Sequence, residues 1–380
     1  MKTVKLLKIY IERILYFKVQ YFLFRKKNSN PTDVKNIVVV RLNHIGDLFI
    51  SLSSIFCLKE RFPEAKITLV TGIWNKGLVE FQNQLFDNVC YYNLNKNCRN
   101  KSQRMSLLQR KKILKKLRQE NYDLCTDFDG SWEFLFLYIF SKIKYLSTAK
   151  YLRFYQNLEQ LKVKKSKFKY DVNNSYEGDN IFEVVKQFSA PDKREEYALA
   201  VNSEIKNKVA AFFAGISGQG QLNENKQEFS SVIKNEKKIV GIHPAASIKE
   251  KMWTSDGFAR LCDYLITDKK LSVIIFGAKE DMPYIQDIIE KSECKEKINI
   301  QTAFNIGEFI TAVSYCDYFI CLDSLAQHIV RYFDLPSLII YTSENSVSTR
   351  WSKASENIKT VLLKNKTDYE TIFEKLSDFN

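Results

Sequence analysis

Along the chain, short β-branched apolar runs alternate with stretches in which apolar residues recur every three or four positions. Residues 36–41 (NIVVVR) form an unbroken apolar run, the pattern of a strand buried on both faces of a parallel sheet. Residues 67–71, 89–92 and 123–127 repeat it. Between the first two, residues 48–62 show helical spacing that stops before Pro63, and an apolar stretch follows at 132–140. The polar, glycine-bearing region 206–236, with Gly215, Gly218 and Gly220, reads as a helix, a flexible loop and a connection. The pattern then restarts. Strands are predicted at 238–243, 271–276, 318–322 and 337–341, and helices at 256–265, 306–315 and 326–333. Such alternation predicts two consecutive doubly wound α/β lobes with a cleft between them.

Composition adjusts this picture little. The 380 residues suffice for two cores, and 45% hydrophobic with 27% charged side chains excludes a disordered or fibrous chain. Charge changes it more. Lys and Arg outnumber Asp and Glu by 58 to 44, a net charge of +14 that suits an anionic partner. The basic runs 111–118 and 162–169 read either as solvated faces or as a rim attracting an anionic acceptor. Eight cysteines contain no C-x-x-C pair and read as buried apolar residues of a reduced protein. Residues 5–27 mix apolar and basic positions. Charges interrupt them too often for a transmembrane span, and no cleavable signal is visible. They read as an amphipathic helix, lying either on an anionic leaflet or on the protein's own surface. The chain is therefore expected to stay cytosolic.

Candidate chemistry lies where strands end. His44, His243 and His328 all fall in or near such positions, where open α/β sheets bind ligands. In RLNHIGD (41–47), Gly46 allows a tight turn. Asp47 either caps the next helix or takes a proton from an acceptor hydroxyl. In HPAASIKEKMW (243–253), Ser247, Lys249 and Lys251 suit a phosphate. In LDSLAQH (322–328), Asp323 and Ser324 open a helix whose positive end can hold another. No G-x-G-x-x-G or P-loop motif is present. Asp127 and Asp129 have the D-x-D form of a metal-diphosphate site, but that spacing is common by chance and no metal is expected.

With these pieces placed, the chain resembles the ADP-heptose:lipopolysaccharide heptosyltransferases, glycosyltransferase family 9. The resemblance rests on IVVVRLNHIGD (37–47), LKERFP (58–63), ITLV (67–70), YDLCTD (122–127), VGIHPAAS (240–247), KMW (251–253), Gly277, CLDS (321–324) with His328, and Arg350-Trp351. It implies the GT-B fold of two Rossmann-like lobes, an inverting transfer without metal or cofactor, and a nucleotide-sugar donor, usually ADP-heptose. The acceptor would be a phosphorylated glycolipid, at the cytosolic face of the inner membrane, with no nucleic acid expected. Asp47 falls on the family's base and Lys251 on its donor-phosphate lysine. Asp323, Ser324 and His328 fall on its D-[ST]-G-x-x-H signature, and Ser247 is a further donor-phosphate candidate. Arg41, His44 and Asp127 are the acceptor-side candidates. Ala245, Leu325 and Thr342 stand where the family usually has glycine. The organisation expected is an amphipathic helix (1–33), which lies outside the usual family core, an acceptor domain (34–205), a linker (206–236), a donor domain (237–365) and a C-terminal helix (366–380). Two other readings use the same sequence: a heptosyltransferase acting on protein, and a non-catalytic nucleotide- or nucleic-acid-binding protein.

Overall fold

A computed structural model describes residues 31–94, 101–129, 134, 143–148, 176–188, 194–217, 237–342, 355–363, 365 and 368–377. The expected amphipathic helix at 5–27, most of the apolar stretch 132–140, the basic run 162–169 and Arg350-Trp351 lie outside these residues. The rest divides into two compact units, the first ending at Leu199 and the second beginning at Ala200.

The first unit is built on β1 (Asn36–Arg41), whose Ile37, Val38, Val39 and Val40 are fully buried. It pairs in parallel with β2 (Lys66–Thr71) on one side and β4 (Leu124–Asp127) on the other. Adding β3 (Asn88–Tyr91) and β5 (Tyr145–Thr148) gives the order β3-β2-β1-β4-β5, all parallel. Helix α1 (Ile45–Arg61) follows β1, and its last backbone bond runs from Phe62 N–H to Leu58 O, 3.0 Å. It packs against a later helix, which is α4 in chain order (Glu177–Lys186). Between them come a short α2 (Lys76–Phe81) and α3 (Leu107–Gln119).

The second unit opens with α5 (Ser203–Ser217), the helix expected at the start of the 206–236 region; it begins three residues earlier and belongs to this unit. The reason is tertiary: Lys208 pairs with Glu308 at 2.7 Å, and Phe213 packs on Tyr315. The sheet order is β11-β10-β9-β6-β7-β8, again all parallel. Its strands are β6 (Ile239–His243), β7 (Ser272–Phe276), β8 (Ile298–Gln301), β9 (Tyr318–Leu322), β10 (Ser337–Tyr341) and β11 (Ile358–Leu362). The helices are α6 (Ser255–Thr267), α7 (Met282–Lys291), α8 (Ile306–Val313), α9 (Leu325–Tyr332) and α10 (Glu370–Lys375). Gly241 lies in β6 where a side chain would meet the Phe319 ring at 2.5 Å, so glycine allows that ring to lie on the sheet. Buried Ile372 and Leu376 seat the C-terminal helix in this core.

Both sheets change direction beside their first strand, between β1 and β4 and between β6 and β9. The carboxyl ends of strands at such a reversal leave a crevice where ligands bind.

Candidate active site

In the first unit, Arg41 is the last residue of β1 and its side chain is 1% exposed. A buried guanidinium is costly unless paired and hydrogen-bonded. Here Nη1 donates to Asp129 Oδ1 at 2.9 Å and to Phe128 O at 3.4 Å, while Nε donates to Asp47 O at 3.1 Å. Nη2 lies 3.6 Å from Asp47 Oδ1. Asp129 also accepts from the Leu42 N–H and from Asn43 Nδ2, the latter at 2.8 Å. The Asn43 carbonyl accepts from Trp74 Nε1 at 2.7 Å and from Asn75 Nδ2 at 3.3 Å. The loop between β1 and α1 is thus held from three sides.

Asp47 sits in the first turn of α1. Its Oδ2 accepts the His44 N–H at 2.9 Å, so the capping role open to it from sequence is filled by one oxygen. Its Oδ1 has no hydrogen bond among the described residues, only the longer ion pair to Arg41. Burial pushes the Asp47 pKa above the ordinary carboxylate value. The Asp129 charge adds to that rise, and Arg41 opposes it. One cation shared by two carboxylates leaves the cluster net negative, which favours taking up a proton.

Of the other candidates here, Arg41 joins Asp47 and His44 is exposed beside it. Asp127 is fully buried beneath and accepts the Asp129 N–H at 2.9 Å. The second acid of the D-x-D pair, Asp129, reaches the cluster instead. Its oxygens accept from Arg41, Leu42 and Asn43.

In the second unit, the chain leaves β6 through the loop containing Ser247, which is exposed, and makes one turn of 3-10 helix at Lys249–Lys251. Lys251 Nζ lies 2.6 Å from Asp323 Oδ2, and the Asp323 side chain is 12% exposed. Gln327 Nε2 donates to the other Asp323 oxygen, and Tyr341 OH donates to Gln327 Oε1 at 3.0 Å. Trp253, 2% exposed, anchors the turn. A Cβ at Gly257 would stand 2.5 Å from the indole, so glycine there makes room for it. Thr342, in a place where glycine was the expected residue, donates its hydroxyl to Glu250 O at 2.9 Å and ties the end of β10 to the Lys251 turn. Ser324 caps α9, accepting from Ala326 N–H at 3.3 Å, and His328 lies buried one turn further on. Burial lowers the His243 pKa, which favours its neutral form.

A protein-family model described as glycosyltransferase family 9 (heptosyltransferase) matches residues 110–376. A lipooligosaccharide heptosyltransferase 2 of Campylobacter jejuni is 30% identical over 115 residues, 29% of this chain and 35% of that protein. The match thus spans about a third of the length of this curated relative. Among solved structures, a glycosyl transferase family 9 protein of Veillonella parvula superposes with a TM-score of 0.64. It is 16% identical, covering 93% of this chain and 94% of that one. An E. coli ADP-heptose lps heptosyltransferase II superposes with a TM-score of 0.62 and 16% identity, covering 90% and 97%.

Proposed function

The chain belongs to glycosyltransferase family 9 (heptosyltransferase), and from that premise we propose that it transfers heptose from a nucleotide diphosphate donor, ADP-heptose, to a saccharide hydroxyl of a lipopolysaccharide core. The family relatives are named for that sugar and that class of acceptor. Asp47 is the base. Its Oδ1, free of hydrogen bonds among the described residues, accepts the hydroxyl proton. The acceptor oxygen attacks the anomeric carbon from the face opposite the diphosphate. The bond to the diphosphate oxygen breaks, its electron pair leaves with the phosphate, and the anomeric configuration inverts. Lys251 and the N–H groups opening α9 at Ser324 receive the departing charge, and Ser247 offers a further donor. Such fixed donors stabilise developing charge at no reorganisation cost. Asp323 orients the ammonium through its 2.6 Å contact. No step uses a metal.

The observation that carries this reading is the geometry of Asp47: one oxygen is spent on the helix, and the other is turned to a buried arginine with no hydrogen bond among the described residues. The test is transfer from ADP-heptose to purified core acceptor by wild type and Asp47→Asn. A positioned base contributes about 10²–10⁴-fold, and the variant should lose that much while still binding donor. Turnover near wild type would remove Asp47 from the role. Chelator in the same assay should leave the rate unchanged, and NMR of the product should show the inverted anomer. The acceptor's lipid implies work at the inner leaflet. Among the described residues, no helix is long and apolar enough to cross a membrane.

A further inference from the structure

Helix α3 has two faces that the fold treats differently. Buried Leu117, with Ile113 and Leu114 against the same cluster, packs it onto the first unit's core. Ser106 and Gln109 close a capping box at its start, with bonds of 3.2 and 2.8 Å, so its first turn is well formed. The opposite face carries Leu108, Lys111, Lys112 and Lys115, flanked by Leu107 and Arg118, all exposed. Leu107 is 68% and Leu108 79% exposed, more than any other large hydrophobic among the described residues. The core does not use them. The charge around them is segregated too. From residue 88 to residue 119 the sequence holds ten Lys or Arg and no Asp or Glu.

We propose that this face of α3 is a docking surface for an anionic phospholipid bilayer, the leucines entering the interface and the lysines meeting the headgroups. Charge alone would suit any polyanion. Two adjacent leucines held in water, Leu108 on this face and Leu107 at its flank, suit a surface with an apolar interior. The placement also serves the reaction. In this parallel sheet α3 starts at the carboxyl edge of the strands, the edge that bears Asp47. Asn93 links the two places: its Nδ2 donates to Gln103 O at 2.8 Å just before α3, and its Oδ1 accepts from Ile73 N–H at 2.8 Å. The neighbouring Trp74 reaches Asn43 at the catalytic loop. A bilayer touching Leu107 and Leu108 therefore meets the edge of the sheet where a lipid-borne acceptor is needed. Only this purpose rests on the glycosyltransferase reading; the binding itself does not.

The test is co-sedimentation of the full chain with vesicles of phosphatidylcholine alone or with about a third phosphatidylglycerol. Wild type should favour the anionic vesicles, and added salt should weaken but not abolish binding. Lys111→Glu/Lys112→Glu/Lys115→Glu should cut partitioning about tenfold or more, because each cation near an anionic leaflet contributes several-fold. Leu107→Ser/Leu108→Ser should cut it several-fold and remove the part that survives salt. Lys279→Glu/Lys295→Glu/Lys297→Glu, an equal change of charge in the second unit, should bind like wild type. Circular dichroism and melting confirm that each variant is folded. Equal losses in both charge variants would mean diffuse attraction and overturn the proposal, as would unchanged binding in both α3 variants. Tight binding of single-stranded nucleic acid that ignores the leucines, without vesicle binding, would assign the face to a different polymer. No sugar transfer enters the readout, so vesicle binding without transfer would fault the activity alone, and transfer without vesicle binding the docking face alone.

Discussion

At the scale of single residues, the first unit's site is a question of who shares Arg41. With two carboxylates on one buried guanidinium, Asp129 holds Arg41 and raises the proton affinity of Asp47 at the same time. Asp129→Asn should therefore lower the Asp47 pKa, and the acid limb of kcat/KM should move to lower pH. Carboxyl ¹³C titration of Asp47 reads the same change without substrate. An unmoved titration would show that Asp129 serves only the loop. Asp47 also carries a stability consequence. A carboxyl whose folded pKa lies above its unfolded value, near 3.8, costs nothing when protonated in both states. Its cost grows as pH rises through the folded pKa and is full above it. Asp47→Asn should then melt higher than wild type at pH 7, by about 2–4 °C per kcal/mol gained, with the advantage vanishing toward pH 4. Asp47 and Lys251 are singled out as candidates by local motifs, RLNHIGD and KMW. The contacts of Asp129, Gln327, Tyr341 and Thr342 are not legible there: Asp129 stands out only as half of a D-x-D pair, and Thr342 only as a departure from glycine. Asp129 meets Leu42 across 87 positions, and Thr342 meets Glu250 across 92, separations that no local pattern encodes.

Elements show the same division between what is local and what is not. Strands β1, β6 and β9, beside the reversals, are buried along nearly their whole length and stand out as apolar runs, while β4 (LCTD) is as buried but half polar. The sequence pattern predicts no strand at β5, β8 or β11. Each lies at the margin of its sheet, and in β8 and β11 the half-buried or exposed positions mix Asn, Gln, Lys and Thr into the run. Helix boundaries depended on capping: Thr254 accepts from Gly257 N–H at 3.1 Å and starts α6 just after Trp253. The Trp253 indole, two residues beyond the turn that bears Lys251, rests on Gly257, so packing at this junction is adjacent to the proposed donor-side lysine. Gly257→Ala would place a methyl 2.5 Å from the ring. We expect a loss of about 1–3 kcal/mol in chemical denaturation, typical of overpacking, together with weaker ADP binding. If stability falls and ADP affinity holds, Trp253 supports the fold without positioning the lysine.

Over the whole molecule, two sheets share one order around their first strand, and each puts charged side chains at the same reversal. The electrostatics differ. In the first unit one arginine faces two carboxylates, a balance that suits a proton acceptor. In the second, one lysine faces one carboxylate beside the N-terminal end of α9, a balance that suits an anion. Under the proposed function, the same topology would serve a proton-accepting carboxylate in one unit and a phosphate in the other. If this division of labour holds, a nucleotide diphosphate should act on the second unit alone. Hydrogen exchange with ADP should slow in residues 247–253 and 322–328 and stay unchanged in residues 41–47. At a hundred times Kd, ADP should stabilise the unit by about 2.7 kcal/mol against unfolding. Lys251→Ala should weaken binding about tenfold or more, the loss of one charge-assisted contact to phosphate. Tyr341→Phe should weaken it less, because Gln327 keeps its bond to Asp323 while losing the one that orients it. Protection at residues 41–47 with none in the second unit would reverse the assignment of donor and acceptor.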